Sequence, residues 1–109
     1  MKGKVCLITG ATSGVGKATA SELAEMGATV IGVGRDCIRC AEVCSEIRNS
    51  SGNPSVEFLV ADLSNQDQVR QLVKDFEARS ERLDVLINNA GAFFLWRKLS
   101  PQGIEMTSN

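Results

Sequence analysis

Apolar and polar positions along the 109-residue chain fall into two alternating kinds of segment. One kind is a short, nearly unbroken apolar run, the pattern of a strand covered on both faces in a parallel sheet. Residues 4–9, with Val5-Cys6-Leu7-Ile8 at their centre, form the first such run and are expected to lie in the middle of the sheet. Residues 29–34, 56–61 and 83–87 form the others. The second kind of segment has helical period. Over residues 14–26 it puts Val15, Ala18, Thr19, Leu23 and Met26 on the inward face, with Gly27 as the stop. Over residues 37–48 it puts positions 37, 40, 41, 44 and 47 together, and residues 49–54 form a turn-rich connector. A third helix opens at Ser64-x-x-Asp67 and repeats Val69, Leu72, Val73 and Phe76 at i, i+3, i+4 and i+7. Strand and helix alternate throughout, which predicts an α/β domain with a parallel sheet.

Between the first strand and the first helix stands Thr9-Gly10-Ala11-Thr12-Ser13-Gly14-Val15-Gly16. Glycines at Gly10, Gly14 and Gly16 let the backbone turn sharply and approach a bound group, because no Cβ intervenes. The helix that opens near Gly14 adds the unpaired amides of its first turn and the positive end of its dipole. Together they read as a cradle for pyrophosphate, hence for a dinucleotide, in the strand–loop–helix setting such a motif needs.

The spacing Thr-Gly-x-x-x-Gly-x-Gly resembles that of the short-chain dehydrogenase/reductase family. Three further stretches resemble family motifs in the same order: Asp62-Leu63, Asn88-Asn89-Ala90-Gly91, and Pro101-Gln102-Gly103-Ile104-Glu105. The resemblance implies a Rossmann-like, doubly wound parallel sheet of βαβαβαβ form with strand order 3-2-1-4. Two mononucleotide-binding halves complete such a fold, and 109 residues supply about one, so the chain is expected to be a single cofactor-binding domain ending before the catalytic half. In the family a tyrosine acts as acid/base, with a lysine four residues later. This chain contains no tyrosine, so no catalytic residue is assigned and the chain alone is expected to be inactive. The parent activity implied is hydride transfer between a nicotinamide and an alcohol or carbonyl carbon, in a homo-oligomer. Gly103-Ile104-Glu105 and the run Phe93-Phe94-Leu95-Trp96 lean toward the retinol-dehydrogenase-like branch, with small apolar alcohols or carbonyls as substrates. That apolar run has two readings, a substrate pocket or core that a further half would cover.

The cofactor residues expected are Gly10, Thr12, Ser13, Gly14, Val15 and Gly16 at the phosphates and Arg35 at the adenosine ribose. By resemblance, Asp62 and Leu63 lie against adenine, and Asn89, Ala90 and Gly91 beside the second ribose and nicotinamide. A carboxylate at the end of the second strand accepts the ribose hydroxyls of NAD, whereas a guanidinium pairs with the 2′-phosphate of NADP. Arg35 comes first there and Asp36 is placed to cap the next helix, which favours NADP over NAD. Blander readings stand beside these: Arg35 as a solvated charge, Asp62 as a turn cap, Asn88 as a tie between strand ends. A second function class, a non-catalytic dinucleotide-binding or interaction module, would use an unpaired fourth-strand edge to meet a partner chain.

Twelve basic and thirteen acidic residues, without like-charge blocks, argue against nucleic acid. No apolar run approaches the ~18 residues of a membrane span, and the N-terminus leads directly into the first strand, so the expected location is cytoplasmic. Cys37-x-x-Cys40 has metal or redox spacing. With no histidine in the chain and Cys6 on a strand, the shared helical face favours buried small side chains instead, and neither a metal site nor redox chemistry is expected.

Overall fold

A computed structural model describes residues 2–89 and the backbone of residues 105–108. The elements run β1 (Val5–Thr9), α1 (Gly14–Glu25), β2 (Thr29–Gly34), α2 (Cys37–Ser51), β3 (Val56–Val60), α3 (Gln66–Arg79), β4 (Val85–Asn88) and β5 (Glu105–Ser108). All pairings are parallel, and the sheet order is β3-β2-β1-β4-β5. The expected order 3-2-1-4 holds, with all five residues of the central strand β1 buried. The expected free edge of β4 does not: β5 pairs along it from Val85 opposite Glu105 to Asn88 opposite Ser108.

Strand alternation divides the core in two. Val5, Leu7, Ile31, Val33, Leu59 and Leu86 face α3 and meet Val69, Leu72 and Phe76, as the heptad-like spacing requires. Cys6, Ile8, Val30, Val56 and Ile87 face the other way, onto Ala20, Ala24, Val43 and Ile47 of α1 and α2.

The inward face of α1 is shifted from the one expected. Gly16, Ala20 and Ala24 are buried, whereas Val15 is 61% and Met26 56% exposed. Small residues at i, i+4 and i+8 let the helix lie close to the sheet, and a hydrophobicity pattern ranks them below Val and Met. On α2 the buried positions are Cys40, Val43 and Ile47; Cys37 and Ala41 fall outside that face, and Cys44 is half-buried. The helix also continues to Ser51, through residues expected as loop, until Gly52 at φ 70° supplies a left-handed stop. Asp36 caps α2 as expected, accepting from Ile38 N and Arg39 N at 2.9 and 3.1 Å. At α3 the cap is Asn65, accepting from Asp67 N and Gln68 N, and not Ser64. The loop before β3 is tied down by Asn53, whose Nδ2 donates to Ala24 O and Ala28 O at 3.0 and 2.7 Å.

β4 starts at Val85 rather than at residue 83 because Asp84 is used differently. Its Oδ2 accepts from Val5 N at 2.7 Å and from Arg82 Nε at 2.9 Å. The Val5 amide foremost, and the Arg82 guanidinium after it, hold the Asp84 carboxyl below its ordinary value of 3.8. A carboxyl whose pKa is lowered on folding stabilises the fold above its unfolded pKa, and that contribution fades as pH falls through the folded value. Asp84→Asn keeps an acceptor for Val5 N but lacks the charge. Its stability deficit in urea unfolding is therefore expected to be constant near neutrality and to shrink between about pH 5 and about pH 2. A deficit independent of pH over that window would refute the assignment.

Candidate cofactor-binding site

The carboxyl ends of β1, β2, β3 and β4 converge on one edge of the sheet, where parallel α/β sheets bind ligands. Gly10 leaves β1 at φ 59° and Gly14 enters α1 at φ 54°, both left-handed conformations that side chains resist. A Cβ at Gly14 would meet nothing within 4 Å, so that backbone is open to an approaching group. Gly16 is the opposite case: a Cβ there would sit 2.0 Å from Gly10 O and 2.8 Å from Gly10 C. The loop thus folds back on its own helix and is pinned to β2 by Ala11 N donating to Val33 O at 3.1 Å. Ser13 occupies the N-cap of α1 without a side-chain cap hydrogen bond, and the first helical bond is Lys17 N to Ser13 O. The amides of Gly14, Val15 and Gly16 precede that bond and form the helix's open first turn. Ser13 and Val15 are exposed, and Thr12 is half-buried.

Thr12 also touches the next strand. A Cβ on Gly34 would lie 2.6 Å from Thr12 Cγ2 and 2.9 Å from Cys40 Sγ, so the end of β2 is glycine because loop and α2 close over it. Arg35 follows, exposed, and among the described residues it makes no ion pair. Asp62, beyond β3, accepts from Ser64 Oγ at 2.7 Å and Ser64 N at 3.0 Å. Those two donors, with a smaller contribution from the Arg35 charge, hold its carboxyl below the ordinary carboxylate value. Asp62 therefore makes the turn expected of a capping residue while standing beside Arg35. Leu63 is buried in the core on the α3 side.

At the end of β4 the two asparagines turn back onto β1. Thr9 Oγ1 donates to Asn88 Oδ1 at 2.9 Å and accepts from Asn89 N at 2.9 Å. Asn89 Nδ2 donates to Thr9 O at 3.0 Å. Thr9 and Asn88 are register partners and both are buried, so the latch fixes the two strand ends directly beneath the glycine loop.

An open glycine loop at a helix N-terminus, an arginine at the end of β2 and asparagines locked to β1 occur here in one parallel sheet. The family described as short chain dehydrogenase matches residues 4–107. The chain belongs to this family. Polyprenol dehydrogenase of Mus musculus is 40% identical over 103 residues, covering 94% of this chain and 31% of the relative. Retinol dehydrogenase 11 of Homo sapiens is 41% identical over 106 residues, covering 97% and 33%. Among solved structures, the Pseudomonas aeruginosa RhlG/NADP active-site complex superposes with a TM-score of 0.77 at 35% identity, covering 84% of this chain and 34% of that one. The chain thus spans about a third of the length of the relatives it matches.

In this short-chain dehydrogenase fold, Gly10, Thr12, Ser13, Gly14, Val15, Gly16, Arg35, Asp62 and Asn89 gather along one edge of the sheet. Ala90 and Gly91, and the apolar run from Phe93 to Trp96, lie outside the described residues. Among the described residues no helix is long and apolar enough to cross a membrane. The sequence pattern gave Thr9 no role of its own, although it opens the glycine motif, and it read Gly34 only as the end of a strand and Cys40 only as a buried small side chain, without joining the two. A glycine ending an apolar strand was the one local sign of the close approach there.

Proposed function

We propose that this chain is the NADP-binding part of a short-chain oxidoreductase that transfers hydride between a nicotinamide and an alcohol or carbonyl carbon. The observation that carries the reading is the open first turn of α1, exposed by two left-handed glycines and left without a side-chain cap. The amides of Gly14 to Gly16 fit a pyrophosphate, which needs donors and positive potential and tolerates no Cβ in the way. Thr12 and Ser13 add hydroxyls at the same rim. Arg35 supplies a guanidinium that makes no ion pair among the described residues, suited to a 2′-phosphate, and Asp62 and Leu63 are the residues assigned to the adenine, Leu63 from within the core on the α3 side. Asn89, Ala90 and Gly91 are the residues assigned to the nicotinamide ribose, on the resemblance of their motif to that of the family. The likeness to a complex holding NADP supports the choice over NAD.

When bound, the nicotinamide gives or takes the hydride. With neither tyrosine nor histidine among the 109 residues, no side chain of this chain is assigned the accompanying proton transfer. The residues of this chain bind and orient; small apolar alcohols or carbonyls are the substrates proposed for the whole enzyme, a cytoplasmic homo-oligomer. The alternative of a partner-seeking module loses its main support, because β5 covers the edge of β4.

Titration with NADPH and with NADH tests the reading. NADPH is expected to bind more tightly, and Arg35→Ala to weaken it by roughly 10- to 100-fold, the size of a lost charge-assisted hydrogen bond, while leaving NADH nearly unchanged. Equal binding of the two, unaffected by Arg35→Ala, would remove the NADP assignment. No binding of either by the folded chain would remove the cofactor reading.

A further inference from the structure

Cys37 and Cys40 are brought into an arrangement that the helical-face pattern did not predict. Cys37 is the first residue of α2 and is exposed, whereas Cys40, one turn later, is buried with Sγ directed at the end of β2. Helical geometry sets their Cα atoms about 5 Å apart, inside the range that a disulfide spans. Cys-x-x-Cys at a helix start, outer thiol open and inner thiol covered, is the layout of dithiols that exchange with disulfides. The other two thiols are placed differently. Cys6 is fully buried in the central strand, where burial foremost pushes it up to about 11. Cys44 lies two turns from Cys37, with Sγ 3.5 Å from Val56 O.

We propose that Cys37 and Cys40 form a reversible dithiol/disulfide site that reacts with small disulfides and tunes the adenosine end of the dinucleotide site. In the first step the Cys37 thiolate attacks one sulfur of the small disulfide, forming a mixed disulfide and releasing one thiolate. Cys40 then gives up its proton and attacks the Cys37 sulfur. The second small thiolate leaves, and the Cys37–Cys40 bond closes. Two protein sulfurs are oxidised, the small disulfide is reduced to two thiols, and the two protein protons end on them. Cys40 is buried and one helical turn from Cys37, so an external disulfide meets Cys37 first and Cys40 acts only in the second, intramolecular step.

The link to the cofactor edge is steric. Cys40 Sγ and Thr12 Cγ2 flank the same Gly34 Cα, and Arg35 and Asp36 are the only residues between Gly34 and α2. Drawing the Cys40 sulfur toward Cys37 withdraws it from Gly34. It also strains the first turn of α2, whose amides at Ile38 and Arg39 Asp36 holds. Arg35 immediately precedes the cap of that turn, which is how the strain would reach it. This consequence for NADPH rests on the proposed function; the disulfide itself does not.

The test exposes the chain to oxidised glutathione and then digests it with trypsin without reduction. Cleavage at Arg39 separates residues 36–39 from 40–48, so a Cys37–Cys40 bond is read as those two peptides held together and parted by dithiothreitol. The linked pair is expected in the parent and in Cys44→Ser. In Cys40→Ala the reaction is expected to stop at a glutathione adduct on Cys37. Cys37→Ser, altered at an exposed position, is expected to give neither product. Absence of the linked pair from the folded parent, or an intramolecular disulfide that persists in Cys37→Ser, would overturn the site. Oxidation is further expected to weaken NADPH binding by about tenfold, reversibly. A disulfide that forms without changing NADPH affinity would overturn the tuning. Failure of the reduced chain to bind NADPH would instead refute the proposed function, leaving the peptide map to judge the disulfide.

Discussion

Gly16→Ala is expected to destabilise the chain by about 3 kcal/mol, the upper part of the range for overpacking, and to remove dinucleotide binding with it. The added Cβ meets main-chain atoms, Gly10 O at 2.0 Å and Gly10 C at 2.8 Å, with Ala11 Cα at 3.2 Å behind them. No rotamer change relieves such a contact, so the loop or the whole of α1 must move away. Ala11 N is held by Val33 O, and Ala20 and Ala24 hold α1 against the sheet, so both are poorly free to yield. The instructive comparison is Gly14→Ala. There the new methyl meets nothing within 4 Å, and only the φ of 54° resists it, at a cost of roughly 1–2 kcal/mol. Thermal unfolding of the two variants separates crowding from conformational strain. Gly16→Ala is expected to melt more than about 10 °C below the parent, and Gly14→Ala to fall between them. A Gly16→Ala chain that melts with the parent would mean that the loop does not lie against α1 as described.

Thr9→Val is expected to cost about 2–4 kcal/mol although it barely changes the volume of a buried side chain. The hydroxyl that it removes both donates to Asn88 Oδ1 and accepts from Asn89 N. Each bond joins residues 79 or 80 positions apart, across the carboxyl ends of β1 and β4, so their loss loosens the edge on which the site is built. Thr9→Ser retains the hydroxyl and loses only a methyl, and is expected to recover most of the stability. Urea unfolding of the three chains measures the difference. If Thr9→Val and Thr9→Ser were equally stable, the Thr9 hydroxyl would contribute nothing to fastening β4 to β1.

Much of this architecture was legible locally. The four apolar runs became β1 to β4, the 3.6-residue repeat of Val69, Leu72 and Phe76 became the buried stripe of α3, and Asp36 capped α2 as its type and place suggested. The errors share a cause. The buried face of α1 was misread because Gly16, Ala20 and Ala24 pack through their smallness, which a hydrophobic period does not register. Ser64 looked like the cap of α3, but Asn65 takes it because Ser64 is engaged by Asp62. Cys37 was grouped with the buried cysteines by periodicity alone, yet as the first residue of α2 it is exposed.

The sequence by itself determined which segments become β1 to β4 and the three helices, their parallel arrangement, and the family, because side-chain hydrophobicity repeating over a few residues and glycines at fixed spacing are local properties. Tertiary structure alone decided that Thr9 fastens both asparagines, that β5 closes the edge of β4, and that Gly34 lies between Thr12 and Cys40. These contacts join residues far apart in the chain, and nothing in the period of either partner encodes the other. They arise only when the strands are placed side by side and a buried hydroxyl, amide or sulfur must take the neighbour that the packing provides.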